Sequence, residues 1–178
     1  MDMGQACRVL FIREDRVELL KGEFSYPSIE GGDSRFNELY ASLAEKSRKY
    51  IEEKYSEVIR EEYRGMSEAD RKFRFRRYLY KFSCYISSCN EKRLCVVCDV
   101  TLMRKGAGNL FASRNVQFWD LKTWRIVPAK YIFGVKTYKR LMKEENGGVR
   151  TDGLYYDGEN AMRYSVVSAS FVQTRVSG

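Results

Sequence analysis

The chain has 178 residues, a formal net charge of +8 and no histidine. Hydrophobic residues make up 44% and aromatic residues 14%, which excludes a disordered chain and suffices for one packed domain spanning 1–178. No apolar run reaches the roughly eighteen residues of a membrane span, and the short patch Val9 to Ile12 lacks the layout of a secretion signal. With 5 cysteines, an odd number, the expected compartment is the reducing cytoplasm. The charge is uneven: residues 1–70 hold 11 basic and 16 acidic side chains, residues 71–150 hold 19 and 5. That asymmetry fits an anionic partner for the middle segment, or an acidic helix packed near basic strands.

Residues 7–29 read as two strands joined by a turn at Glu14-Asp15-Arg16. Gly31-Gly32 breaks the pattern, and Asp33 or Ser34 can cap a helix. Phe36, Leu39, Tyr40, Leu43, Tyr50, Ile51, Tyr55 and Val58 then recur at three- and four-residue spacing, predicting one long amphipathic helix over 33–65. Its core face is expected to bury Phe36, Leu39, Leu43 and Ile51, and its tyrosines fit a helix-to-sheet seam better than a binding surface.

Ser67 to Asp70 reads as a short capped turn, after which the period changes to two as far as residue 128. Asn90 to Lys92 forms a hairpin turn, so paired residue numbers sum to 182. Tyr80 then faces Leu102, Phe82 faces Val100, Cys84 faces Cys98 and Ile86 faces Val96, all on one apolar face. The other face, with Lys81, Ser83, Ser87, Asp99 and Thr101, should be solvated. Residues 110–120 and 124–128 read as the next strands around "DLKT", and 136–146 as a second, short helix stopped by Asn146, Gly147 and Gly148. Closing strands turn at Asp157-Gly158. The sum is an α+β domain: a long N-terminal helix on a mostly antiparallel sheet, with one further short helix.

Four cysteines lie within residues 84–98. Cys95 and Cys98 are three apart on a strand and point to opposite faces, so they do not form a metal knuckle, and no metal site is expected. Cys84 and Cys98, directly opposite, have the geometry a disulfide needs, but in a reducing compartment they read as buried core thiols. Exposed labelling is expected at Cys89 and Cys95.

"RKFRFRR" over 71–77 interleaves basic and aromatic side chains as a nucleic-acid-tracking strand does. The glycine loop 105–109 joins two strands and so does not resemble a phosphate loop, which opens a helix. The candidate binding residues are Arg74, Arg76, Arg77, Lys81, Arg104, Lys105 and Asn109. Without histidine no nucleophile–base pair stands out, so a non-enzyme without cofactor is expected.

The order "FSYPSI", "SRFNELY", "RKGAGN", "RNVQFWDLKTWRIVPAKYIF" and "GLYYDGENAMRYS" resembles the C-terminal domain of RsiV-type anti-sigma factors of bacteria, over residues 24–170. Trp124 stands where that family usually reads glycine. The resemblance implies an α+β fold and a non-catalytic binding role, lysozyme being the family's ligand. A soluble interaction module is therefore expected, its partner a protein or an anionic cell-envelope polymer. Nucleic-acid binding through 71–77 is the alternative.

Overall fold

The computed structural model describes residues 2–146 and 149–176, with the side chains of Glu145 and Asn146 left aside. Gly147 and Gly148, the expected helix stop, lie outside the described residues. The chain divides into two compact units: Met1–Ser83 with Val100–Phe111, and Cys84–Asp99 with Ala112–Gly178.

In the first unit β1 (Asp2–Glu14) and β2 (Val17–Glu30) form an antiparallel hairpin. Its two-residue turn places Asp15 and Arg16 at φ 47° and 69°, the positive values that match strand twist in such hairpins. The chain then crosses over through α1 (Ser34–Lys54), α2 (Ser56–Gly65) and α3 (Glu68–Phe73) and enters β3 (Tyr78–Cys89). Residues 78–83 of β3 pair parallel with β2, from Leu20 opposite Tyr78 to Ser25 opposite Ser83. Parallel neighbours need a long crossover, and the helices supply it.

Asp33 caps α1 by accepting the Arg35 backbone N–H at 2.8 Å. The long helix is bent: Tyr55, at φ −107°, separates α1 from α2. Packing also rotates the buried stripe relative to expectation. Phe36, Tyr40, Ala44, Ile51, Ile59 and Tyr63 are buried, Leu39 and Leu43 only half-buried, and Tyr50 and Val58 exposed. Asn37 fastens α1 to the end of β2, accepting the Ile29 N–H at 2.9 Å and donating to the Ile29 carbonyl at 3.0 Å.

Residues 71–77 are not a strand. Ser67 caps α3 by accepting the Asp70 N–H at 3.1 Å, which draws Arg71 to Phe73 into a helical turn, and 75–77 are irregular.

Beyond β3 come β4 (Arg93–Arg104), β5 (Gly108–Asp120) and β6 (Arg125–Val127), in the strand order β1-β2-β3-β4-β5-β6. The second unit adds α4 (Ala129–Ile132), α5 (Val135–Lys143) and the short pair β7 (Glu145–Asn146) and β8 (Val149–Arg150). A three-stranded sheet follows, β9 (Gly153–Asp157), β10 (Asn160–Val167) and β11 (Ser170–Arg175), in the order β11-β10-β9. The second helix thus starts at Val135 and ends at Lys143, before Asn146, because Glu144 turns to extended backbone at ψ 134°.

The core of this unit is Cys95, Val97, Phe118, Tyr155 and Tyr164. Gly153 is required there, since a Cβ at that position would lie 2.6 Å from the Tyr164 ring. Residues 94–98 of β4 are consequently buried on both faces, where a solvated second face was expected.

Cys84 and Cys98 are buried opposite one another as the register required, but they are joined in a disulfide, not left as thiols. Their α-carbons are 3.9 Å apart, which brings the two sulfurs together. Cys95 points to the other face and is buried at 3% exposure, so it does not belong with Cys89 as an accessible thiol.

Candidate functional site

The seven residues singled out in the sequence do not converge. Arg76, Arg77 and Lys105 border one open hollow with Glu18 and Phe75. Arg77, however, is ion-paired with Glu18, and the Arg76 guanidinium donates to the Phe73 and Phe75 carbonyls at 2.9 and 3.1 Å. Elsewhere Arg74 pairs with Asp70 at 3.2 Å and Lys81 with Glu23 at 3.7 Å. Arg104 bonds Glu62 and the Tyr78 hydroxyl, with its guanidinium over the Tyr78 ring. Asn109 sits in β5 next to the glycine loop and is half-buried. Four of the six cations, Arg74, Arg77, Lys81 and Arg104, thus have a neighbouring carboxylate, which lowers the local positive charge on which tracking a phosphate backbone relies.

A better-formed site lies in the second unit. A cavity of about 370 Å3 is lined by Ser88 to Asn90 from the end of β3, Arg93 to Cys95 from β4, Phe118, Ile132, Tyr156 and the β9–β10 turn. That volume falls within the range of ligand pockets.

Local chemistry positions each wall. At the β3–β4 turn the Asn90 side-chain oxygen accepts the Lys92 and Arg93 N–H groups at 3.0 and 2.9 Å, and the Asn90 N–H donates to the Arg93 carbonyl at 2.9 Å. Asn90 is thereby fixed through its oxygen. Gly158 takes φ 59° in the β9–β10 turn, and its N–H donates to the Ser87 carbonyl at 2.9 Å, which ties that turn to β3. Phe118, Phe133 and Tyr156 form an aromatic group: Phe133 stacks on Tyr156 at 5.0 Å, and Phe118 meets them edge-on at 5.7 and 6.3 Å. Such packing holds the apolar wall in shape.

The rim is charged on both sides. Arg93 and Glu159 are exposed, and among the described residues neither has an ion-pair partner. Arg93 helps the Asp120 carboxyl to stay below its ordinary value, although the hydrogen bonds from Thr123 to Asp120 are the larger cause. On the floor, burial pushes the Cys95 thiol up, which makes it a poor nucleophile. None of Arg93, Phe118, Ile132, Tyr156 or Glu159 was singled out in the sequence, and Asn90 was read only as a hairpin-turn residue. They come from separate segments, and no spacing signal links them.

Beside the unit's core, Arg114 is almost fully buried. It holds Asp99 through two bonds of 2.6 and 2.7 Å, and its guanidinium lies 4.5–5.5 Å from the Tyr155, Tyr164 and Phe171 rings. This cluster reads as a structural pair with cation–π cover.

Among the described residues no group of three or more Cys, Asp or Glu is arranged to hold a metal ion, and no helix is long and apolar enough to cross a membrane. An α+β fold with a bent N-proximal helix against a mixed, mainly antiparallel sheet is the class the architecture defines.

No family model and no curated protein matches the chain. Solved structures do. A DUF3298 family protein (PA4972) from Pseudomonas aeruginosa PAO1 superposes with a TM-score of 0.55 at 7% identity, covering 98% of this chain and 89% of that one. A member of the same family (BF2082) from Bacteroides fragilis NCTC 9343 gives 0.52 at 16% identity, over 98% and 88%. At these identities the likeness is one of fold.

The expected anti-sigma-factor identity is corrected accordingly: the similar structures are described as DUF3298 proteins, and neither as an RsiV-type domain. The lysozyme-binding role that the resemblance implied falls with it. Nucleic-acid binding through 71–77 falls too, because the stretch is not a strand, Arg74 and Arg77 are ion-paired, and the Arg71 and Arg76 guanidinium groups donate to backbone carbonyls.

Proposed function

We propose that the second unit recognises a short peptide segment of a partner protein, and that the segment seats an apolar side chain and a carboxylate in the cavity described above. The observation that supports this most is the match of an aromatic floor to a rim whose guanidinium makes no ion pair among the described residues. Phe118, Ile132 and Tyr156 offer apolar surface, while Arg93 stands at the edge and acts on Asp120 only through space, without an ion pair. The Asn90 amide, fixed through its oxygen, leaves its N–H2 group to donate alongside Arg93. A terminal leucine, phenylalanine or methionine carries both features, and a guanidinium recognises its carboxylate through charge-assisted bonds. Glu159, opposite in charge, favours a peptide whose preceding residues are neutral or basic.

The role is binding without catalysis. With no histidine in the chain and a buried Cys95 disfavoured as a thiolate, the usual nucleophile–base pairs have no members at the cavity.

The test is a titration with tetrapeptides ending in Leu, Phe or Met, each as free acid and as amide, followed by chemical shifts. Free acids should move Phe118, Ile132 and Tyr156, and amides should bind at least about tenfold more weakly, the worth of a bond to a charged group. Shifts confined to other residues would overturn the reading.

A further inference from the structure

We infer that the outer edge of β1 pairs antiparallel with β1 of a second copy of this chain, giving a symmetric dimer through one continuous ladder. The strand is 13 residues long and lies at the end of the six-strand order, and β2 is the only strand bonded to it among the described residues. One row of its backbone N–H and C=O groups therefore has no ladder partner. Proteins blunt such edges with charged side chains, lysine above all, or with proline, bulges or a covering element. Of the charges on β1, Arg8 and Glu14 are turned to Glu45, Arg60 and Arg64 of the helices. Residues 2–14 contain neither lysine nor proline. The one register shift falls between Ile12 and Arg13 at the hairpin end, which leaves 2–12 regular.

The side chains point to a second copy rather than to an arbitrary strand. On one face Met3, Val9 and Phe11 are 49%, 48% and 44% exposed, alternating with Gln5 and the exposed Cys7. On the other face Ile12 is buried and Arg8 reaches Glu45 at 3.4 Å.

A two-fold axis normal to the sheet matches like faces only when paired residue numbers sum to an even number. At a sum of 14, Cys7 meets Cys7 on the axis, Val9 meets Gln5 and Phe11 meets Met3, while Arg8 meets Ala6 and Leu10 meets Gly4. No like charges face each other, and the exposed apolar residues at the two ends cover one another. A sum of 16 sets Arg8 against Arg8 and Asp2 against Glu14, which repel. A sum of 18 sets Arg8 against Leu10 and gives up the Phe11–Met3 contact. The Cys7-centred register is self-complementary.

Sedimentation velocity from about 1 μM to about 1 mM tests this, a range that spans weak to moderate self-association. The wild-type chain should dimerise. Cys7→Lys places two ammonium groups opposite one another at about 5.5 Å and should weaken the dimer at least tenfold. Cys7→Ser should leave it intact, because the ladder and not the thiol holds it. In a Cys89→Ser background a short bismaleimide should link the two Cys7 side chains. A wild-type chain that stays monomeric throughout, or a folded Cys7→Lys chain that dimerises as before, would overturn the inference. If Cys7→Lys does not fold, the cross-link decides, and its absence from concentrated Cys89→Ser protein overturns the inference equally.

Discussion

Asp99 shows how far a single residue's environment departs from what its neighbours in sequence suggest. Strand alternation puts it with Lys81, Ser83 and Thr101 on a polar face, yet it is the bidentate partner of Arg114, whose side chain is 3% exposed. No spacing rule joins residues fifteen apart on neighbouring strands, so this pair was not legible. Removing one member of a buried pair leaves a charge without its counterion, at a cost of about 3–5 kcal/mol. Asp99→Ala should therefore lower stability by that amount in urea unfolding. Glu52→Ala, which removes an exposed i,i+4 partner of Arg48, should change it by no more than about 0.5 kcal/mol. Equal effects from the two would show that the Arg114 pair is solvated. The cysteines repeat the lesson: the register that opposed Cys84 to Cys98 was legible, whereas their oxidation state was argued from an assumed compartment and came out differently.

At the level of elements, periodicity located the long helix, its Asp33 cap and the β1–β2, β3–β4 and β9–β10 hairpins. It did not reveal the bend at Tyr55, since no proline or glycine marks it. Within α1 the buried face is Phe36, Tyr40, Ala44 and Ile51, so Ile51 is fully buried and Leu43 only half so. Ile51→Ala should cost about 2–5 kcal/mol and Leu43→Ala less than about 1.5 kcal/mol, read as midpoint shifts in thermal or urea unfolding. The reverse ranking would mean that the helix packs through its Leu39–Leu43 side. The error over 71–77 has a related origin. Seven residues of alternating basic and aromatic character are too few to outweigh a serine cap, and Ser67 turns the segment into α3.

For the whole molecule, ionisation frames stability from both ends. Glu14, Glu23 and Glu45 sit below their ordinary 4.5, held chiefly by hydrogen bonds from Arg64, Lys21 and Arg48, and Arg35 does the same for Asp33 below 3.8. Depressed carboxyls contribute stability that is complete above the unfolded value and is lost as pH falls through the lower folded one. Burial pushes the Tyr164 phenol up to about 12 from 10.0, so its contribution is present below 10 and lost as pH rises towards 12. The urea midpoint should be level from about pH 5 to about pH 9 and decline on either side, the alkaline decline tracking tyrosinate absorbance. A decline beginning near neutrality would assign stability to other groups. The architecture was readable because hydrophobic period and caps are local signals. The cavity was not, because its walls meet only once β3, β4, β5, α4 and the β9–β10 turn have assembled. That cavity is the centre of the functional account, and Arg93 is its most exposed commitment. The direct measurement is the affinity of a tetrapeptide ending in a free leucine carboxylate for the wild-type chain and for Arg93→Ala. The account predicts a loss of about tenfold for the free acid and none for the amide. Equal affinity of both proteins for the free acid would contradict it.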